Sequence, residues 1–169
     1  MSVDCAPSRA TALAYEQYRM IHNVYVLLDD GDRRVLHQYG LTLPQYRVLK
    51  SLDIRQGRRL TTLSQRLLCA KSTITRIVDQ LEKDGLVRRT TDEEDRRALR
   101  VLLTDAGAEL LAVARAAHEG VVERRLNRVL TVDEQVTLRD LLEKLRDGLV
   151  RELYDRGSND AESAGSFPA

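Results

Sequence analysis

Apolar residues recur at helical spacing along most of the chain. From Arg9 to Leu28, residues Leu13, Met20, Ile21, Val24, Leu27 and Leu28 fall on one broad aliphatic face. Tyr15, Tyr18, His22 and Tyr25, spaced three, four and three apart, form a separate stripe beside it. The Asp29-Asp30-Gly31-Asp32 run predicts a break, followed by a short helical piece from Arg33 to Tyr39 that Gly40 stops. Thr42-Leu43-Pro44-Gln45 has capping-box spacing with proline in the first turn and opens the next helix. Thr62-Leu63-Ser64-Gln65 repeats that spacing and predicts a short helix through Leu67. A tight turn at Leu68-Cys69-Ala70 leads to another helix, from about Lys71 to Lys83, in which Ile74, Ile77, Val78 and Leu81 share one face and which Gly85 ends.

The period then changes. Leu86 to Thr91 and Arg97 to Leu103 read as two strands around a polar turn at Asp92 to Asp95, a hairpin with a charged tip. Thr104 caps a long helix reaching about Leu130, and Thr131 with Glu134 starts the last one. That helix holds Leu138, Leu141, Leu142, Leu145, Leu149 and Leu153, a stripe too rich for one exposed face. The expected fold class is mainly α with a small β-hairpin wing: a winged helix-turn-helix module at 41–104 between N-terminal helices at 9–40 and C-terminal helices at 105–156. Residues 1–8 read as a flexible N-terminus and 157–169 as a disordered tail.

Composition narrows the function. The 169 residues include six Tyr, one Phe and no Trp, so the core must be aliphatic and a cluster of tyrosines is informative. Apolar runs such as Val24 to Leu28 fall far short of the ~20 residues that cross a bilayer, and the start is polar, which predicts a soluble cytoplasmic protein with no membrane partner. Cys5 and Cys69 build no disulfide framework, and His22, His37 and His118 are scattered, so neither a metal nor a cofactor is expected. No phosphate-cradling loop, dinucleotide turn or nucleophile elbow is present, and an enzyme is not expected.

The net charge of +1 hides a strong asymmetry. The stretch from Ile54 to Val78 carries Arg55, Arg58, Arg59, Arg66, Lys71 and Arg76 and no acid, so the remainder of the chain is acidic. Clustered cations on an acidic protein suit a polyanion, because they release counterions from phosphates. On the Lys71 to Lys83 helix the face opposite the apolar one presents Ser72, Thr75, Arg76, Asp79 and Lys83. Small hydroxyl residues let a helix approach base edges, and arginine grips guanine with two parallel bonds. Thr62, Arg66, Lys71, Ser72, Thr73, Thr75 and Arg76 are therefore the candidate contacts to double-stranded DNA.

With these residues in view, the chain resembles the MarR family of winged helix-turn-helix transcriptional regulators. Asp95, Arg97, Val101, Leu103, Thr104 and Gly107 fill every fixed position of its wing pattern, Asp-x-Arg-x-x-x-Val-x-Leu-Thr-x-x-Gly. Leu41 to Tyr46, Ser72 to Arg76 and Leu81 to Val87 also look like that family. The resemblance implies that Arg97 enters the minor groove and that Asp95 orients it. It also implies that the first and last helices of two chains intertwine into a homodimer through Leu13, Met20 and Val24 with Leu138, Leu142, Leu145 and Leu149. A two-fold dimer sets two recognition helices ~34 Å apart and reads an inverted-repeat operator. The expected function is a repressor released by a small-molecule effector such as a phenolic or aromatic acid, with Tyr15, Tyr18, His22 and Tyr25 as the candidate ligand pocket. The competing readings are a thiol-based redox regulator using Cys5 or Cys69, and a winged-helix protein-interaction module without DNA binding.

Overall fold

A computed structural model describes residues 8–92, 95 and 98–155. Among the described residues the elements are α1 (Arg9–His37), α2 (Leu43–Lys50), β1 (Arg58–Arg59), α3 (Leu60–Leu67), α4 (Lys71–Lys83), β2 (Val87–Thr91), β3 (Leu99–Leu103), α5 (Asp105–Asn127) and α6 (Val132–Val150), with a π turn at Arg151–Asp155. This is the expected class, mainly helical with a small antiparallel sheet. The readings at 1–7, at Cys5, at Arg97 and at 157–169 lie outside the described residues. Among the described residues no helix is long and apolar enough to cross a membrane.

The acidic run after Leu28 does not break the first helix. Asp29 pairs with Arg33 at 2.7 Å and Asp30 with Arg34 at 2.8 Å, each one turn on. Such pairs stabilise a helix by about 0.2 to 0.5 kcal/mol each, which offsets much of the roughly 1 kcal/mol that Gly31 costs relative to alanine. Burial of Leu36, fully enclosed in the core, secures the extra turns. The helix stops after His37, where the Leu41 amide donates back to the Leu36 carbonyl at 3.1 Å.

The capping box at Thr42 is present: Thr42 Oγ1 accepts the Gln45 amide and Gln45 Oε1 accepts the Thr42 amide at 2.9 Å. The one expected at Thr62 is not. Helix α3 begins three residues earlier than a Thr62 cap would set it, at Leu60, behind an N-cap Arg59 that makes no side-chain capping bond. The cause is β1, a two-residue strand that pairs Arg58 with Val101 and Arg59 with Arg100 and so fixes where α3 starts. Leu68 then turns the chain in the left-handed region, φ +51°, and Ser64 Oγ donates to the Cys69 carbonyl at 2.6 Å across the turn. The sheet order is β1-β3-β2, with β2 and β3 in register from Val87↔Leu103 to Thr91↔Leu99.

The hairpin is locked to the helices at its base. Thr104 Oγ1 accepts the Gly107 amide at 3.0 Å, capping α5, and donates to the Gly85 carbonyl at 2.7 Å. The Thr104 amide donates to the Leu86 carbonyl at 3.1 Å. Gly107 is buried against that same carbonyl: a Cβ here would stand 1.9 Å from the Leu86 oxygen. The glycine of the Asp-x-Arg-x-x-x-Val-x-Leu-Thr-x-x-Gly pattern is thus a close-approach residue, where backbone meets backbone.

The chain divides after Glu119 into two units. In the first, Leu36, Leu41, Leu43, Tyr46, Leu49, Leu63, Ile74, Val78, Leu81, Val87, Val101, Leu103 and Ala114 form one buried cluster. Tyr46 packs its ring 5.1 Å from that of His118, and His118 Nε2 stands 3.3 Å from Asp32 Oδ2, an electrostatic contact rather than a well-directed hydrogen bond. Burial, reinforced by the charge of Glu119, pushes the Tyr46 hydroxyl pKa up. The second unit holds the end of α5 and α6, opened by a complete capping box between Thr131 and Glu134. Leu126, Leu138 and Leu142 line an apolar groove of about 460 Å³ there, and no residue of α6 is buried within the chain.

Candidate nucleic-acid interface

Helix α4 is amphipathic in the sense its sequence predicts. Ile74, Val78 and Leu81 are buried, while Lys71, Ser72 and Arg76 are exposed and Thr73 and Thr75 half-buried. Ala70 at its N-cap offers no side-chain acceptor, so the first-turn amides remain available to an outside anion. Thr75 Oγ1 donates to the Lys71 carbonyl at 2.9 Å, which leaves its lone pairs but not its proton for a base edge. Thr73 and Arg76 border a cleft of about 690 Å³ shared with Arg33 and His37 of α1 and Pro44 of α2. Arg66 is exposed on α3, and Thr62 lies half-buried within that helix rather than at its cap.

Of the six cations of the acid-free stretch, Arg55 is exposed in the loop before β1 and the other five separate into two groups. Arg58 Nε donates to the Ser51 carbonyl at 2.6 Å, and Arg59 forms two 2.8 Å bonds to Asp92, so these two serve the fold. Arg66, Lys71 and Arg76 face solvent with no acidic partner among the described residues. Asp79, on the same outward face of α4, would oppose a phosphate, but Arg89 of β2 donates to it at 2.5 Å and also binds Glu82. Burial works against the Arg89 charge, yet these two carboxylates outweigh it and hold its proton more tightly than usual. Helix α4 and strand β2 are thereby joined through one guanidinium.

Two features of this surface escape sequence reasoning. Asp92, which reads as a turn residue, is 1% exposed and binds both Arg59 and Arg100. Asp53 organises the loop that leads into β1: its Oδ1 accepts the amides of Arg55, Gln56 and Gly57 at 2.9, 2.6 and 3.2 Å. Those amides, Gln56 foremost, hold the Asp53 carboxyl below the ordinary carboxylate range despite the opposing effect of burial. An Asp four residues before a glycine was the available signal for the loop; nothing in the spacing marks Asp92 as buried. Asp95 is exposed, its amide donates to Asp92 Oδ1 at 3.0 Å and its carbonyl accepts the Ala98 amide at 2.8 Å. The partner assigned to it by resemblance, Arg97, lies outside the described residues.

The remaining candidates sit away from α4. Tyr15, Tyr18, His22 and Tyr25 are all exposed along α1, as are Leu13, Met20 and Val24. Leu138, Leu142, Leu145 and Leu149 are exposed along α6, each between 41% and 45%. Cys69 is an exposed free thiol in the turn between α3 and α4, where Sγ lies 3.2 Å from the Leu67 carbonyl.

Comparison with known proteins gives a consistent set of relatives. A model of the MarR family matches residues 41–99. The transcriptional regulator HosA of Escherichia coli O127:H6 is 30% identical over 128 residues, which cover 75% of this chain and 94% of the relative. AbsC, a MarR family transcriptional regulator from Streptomyces coelicolor, superposes with a TM-score of 0.74 at 26% identity, over 85% of this chain and 96% of that one. A mutant MarR from Escherichia coli complexed with operator DNA superposes with a TM-score of 0.70 at 29% identity, over 75% of this chain and 91% of that one.

Proposed function

Since this chain belongs to the MarR family of transcriptional regulators, whose winged helix binds DNA, we propose that it acts as a homodimeric repressor of an inverted-repeat operator. Helix α4 enters the major groove, where Arg76 reads guanine and Ser72, Thr73 and Thr75 approach neighbouring base edges. Lys71, Arg66 and Thr62 hold phosphates, and Arg97, oriented by Asp95, enters the minor groove. The observation that carries this reading is the outer face of α4: exposed Lys71, Ser72 and Arg76 around an uncapped N-terminus, on a helix whose acidic Asp79 is already neutralised by Arg89. Its structural relative bound to operator DNA supports the same use.

The dimer rests on apolar surface that one chain leaves uncovered, Leu13, Met20 and Val24 on α1 and the α6 leucines. The exposed Tyr15, Tyr18, His22 and Tyr25 stripe supports an effector site for a phenolic or aromatic acid that completes in the assembled dimer. Selection of bound duplexes from a random-sequence pool tests the proposal: the wild-type chain should enrich an inverted repeat. Arg76→Ala should then lose about 1 to 3 kcal/mol of discrimination at one position of each half-site, while Lys71→Ala should weaken all sequences alike and reduce the salt slope by about 1. Failure of the wild-type chain to enrich any sequence refutes the proposal.

A further inference from the structure

Asp92 binds more groups than a turn residue needs. Its side chain is fully buried, and its two oxygens accept from Arg59 Nε at 2.8 Å, Arg59 Nη2 at 2.8 Å, Arg100 Nε at 2.5 Å and the Asp95 amide at 3.0 Å. The Asp92 amide donates to the Ala98 carbonyl at 2.9 Å, closing the ladder on the tip side. Arg59 and Arg100 are not arbitrary partners. Arg59 is both the last residue of β1 and the N-cap of α3, and it faces Arg100 across the β1–β3 pairing. Arg100 continues to the Gln56 carbonyl, which Nη1 reaches at 3.0 Å. One carboxylate therefore joins the entry to the first helix of the helix-turn-helix, the central strand of the sheet and the point where the wing leaves it.

Among the described residues two guanidiniums meet on this one buried carboxylate, and the two-bond grip of Arg59 fixes orientation as well as distance. Thr104 holds the hairpin at its base and Arg89 ties β2 to α4, but both contacts lie away from the tip, where a two-stranded ribbon twists most readily. The Asp92 cluster limits that freedom on the tip side, adding to the β1–β3 ladder a side-chain tie from the end of β2 to the start of α3.

We propose that Asp92 is the positioning residue of the wing, setting the wing's angle relative to α3 and α4 so that minor-groove and major-groove contacts are made together. The inference rests on the DNA-binding reading above and adds to it a residue that touches no DNA. Its test uses the full-length chain on a duplex selected by the wild type, with protein at saturation. Hydroxyl-radical cleavage reports the minor groove and methylation of guanine N7 reports the major groove.

Asp92→Asn keeps size and one acceptor oxygen but sets an amide N–H₂ against a guanidinium. It should lower affinity by about 10- to 100-fold, the range of one lost or misplaced charge-assisted contact per half-site. At saturation it should abolish the flanking minor-groove protection while guanine N7 protection stays as in the wild type. Arg100→Lys, which retains charge but loses the fork, should show the same imbalance more weakly, and it carries the comparison if Asp92→Asn does not fold. A purely structural role would lower both protections in proportion to the unfolded fraction, and that result, or two unchanged footprints, overturns the inference. A wild-type chain with no footprint on any selected duplex refutes the DNA-binding reading instead.

Discussion

Replacing Gly107 by alanine tests the packing of the wing's base against the helices. The added Cβ would lie 1.9 Å from the Leu86 carbonyl oxygen, 2.9 Å from its carbon and 3.2 Å from its Cα. Ordinary carbon–oxygen contacts are about 3.3 to 3.6 Å, so the two backbones must separate by more than an ångström. Leu86 cannot yield alone, because its amide donates to the Leu81 carbonyl at 2.9 Å and its carbonyl accepts the Thr104 amide at 3.1 Å. Separation therefore strains the Thr104 bonds to Leu86 and Gly85 together. Overpacking of this kind costs about 1 to 3 kcal/mol, each lost hydrogen bond about 1 kcal/mol more, and the helix propensity of alanine returns about 1 kcal/mol. The net expectation is a loss of about 3 kcal/mol, which in a chain of this length lowers the thermal midpoint by about 6 to 12 °C. Gly120→Ala, in the same helix, meets only the end of the Arg124 side chain at 3.6 Å and should be neutral or stabilising. Thermal unfolding followed by circular dichroism separates the two. A Gly107→Ala midpoint equal to or above that of the wild type would refute the argument that backbone contact, and not flexibility, explains this glycine.

Three further outcomes are expected. The depressed carboxyl of Asp53 contributes stability that is present above its unfolded value and is lost as pH falls through the lower folded one, so Asp53→Asn should be destabilised at pH 6 and the difference should shrink below about pH 4; a difference independent of pH between 6 and 3 contradicts the assigned role. Combining Leu142→Ala with Leu145→Ala should disrupt the dimer and lower the unfolding midpoint together, each buried leucine contributing about 2 to 5 kcal/mol, whereas a wild-type chain that sediments as a folded monomer at micromolar concentration rules the dimer out. An aromatic acid such as salicylate should weaken DNA binding, and Tyr18→Ala or His22→Ala should blunt that response with ligand-free binding retained; no shift of the DNA titration at millimolar acid excludes the stripe as the effector site.

Local signals carried the reading wherever one element's own residues decide its form. Thr42 with Gln45, Thr131 with Glu134, and the Ile74, Val78 and Leu81 spacing of α4 are contacts within a few residues, and each appears in the fold. Where distant residues decide, the sequence misleads. Thr62 has capping-box spacing, yet α3 starts at Leu60 because β3 recruits Arg58 and Arg59 into a strand some forty residues away in the chain. The Asp29 to Asp32 run looks like a breaker until Arg33 and Arg34 are seen one turn on and Leu36 is found in the core. The charge count likewise includes Arg59 in the basic stretch, and only the partner thirty-three positions on, Asp92, shows that its charge is taken up within the fold.

The unbroken first helix also has a mechanical meaning. With 29 residues at 1.5 Å per residue, it is a rod of about 43 Å. Its Leu36 end is plugged into the core of the winged module, while its Leu13 end stands clear of that core. Because no joint interrupts it at Asp29 to Asp32, the module cannot swivel about that point, and a change of direction at one end must be delivered whole to the other. A tilt of about 5° about either end carries the opposite end through about 4 Å, a displacement comparable to the 3.4 Å rise of one DNA base pair. Rotation too small to disturb any single side-chain contact along the rod is thus amplified, by length alone, into a step the size of the lattice that the DNA presents.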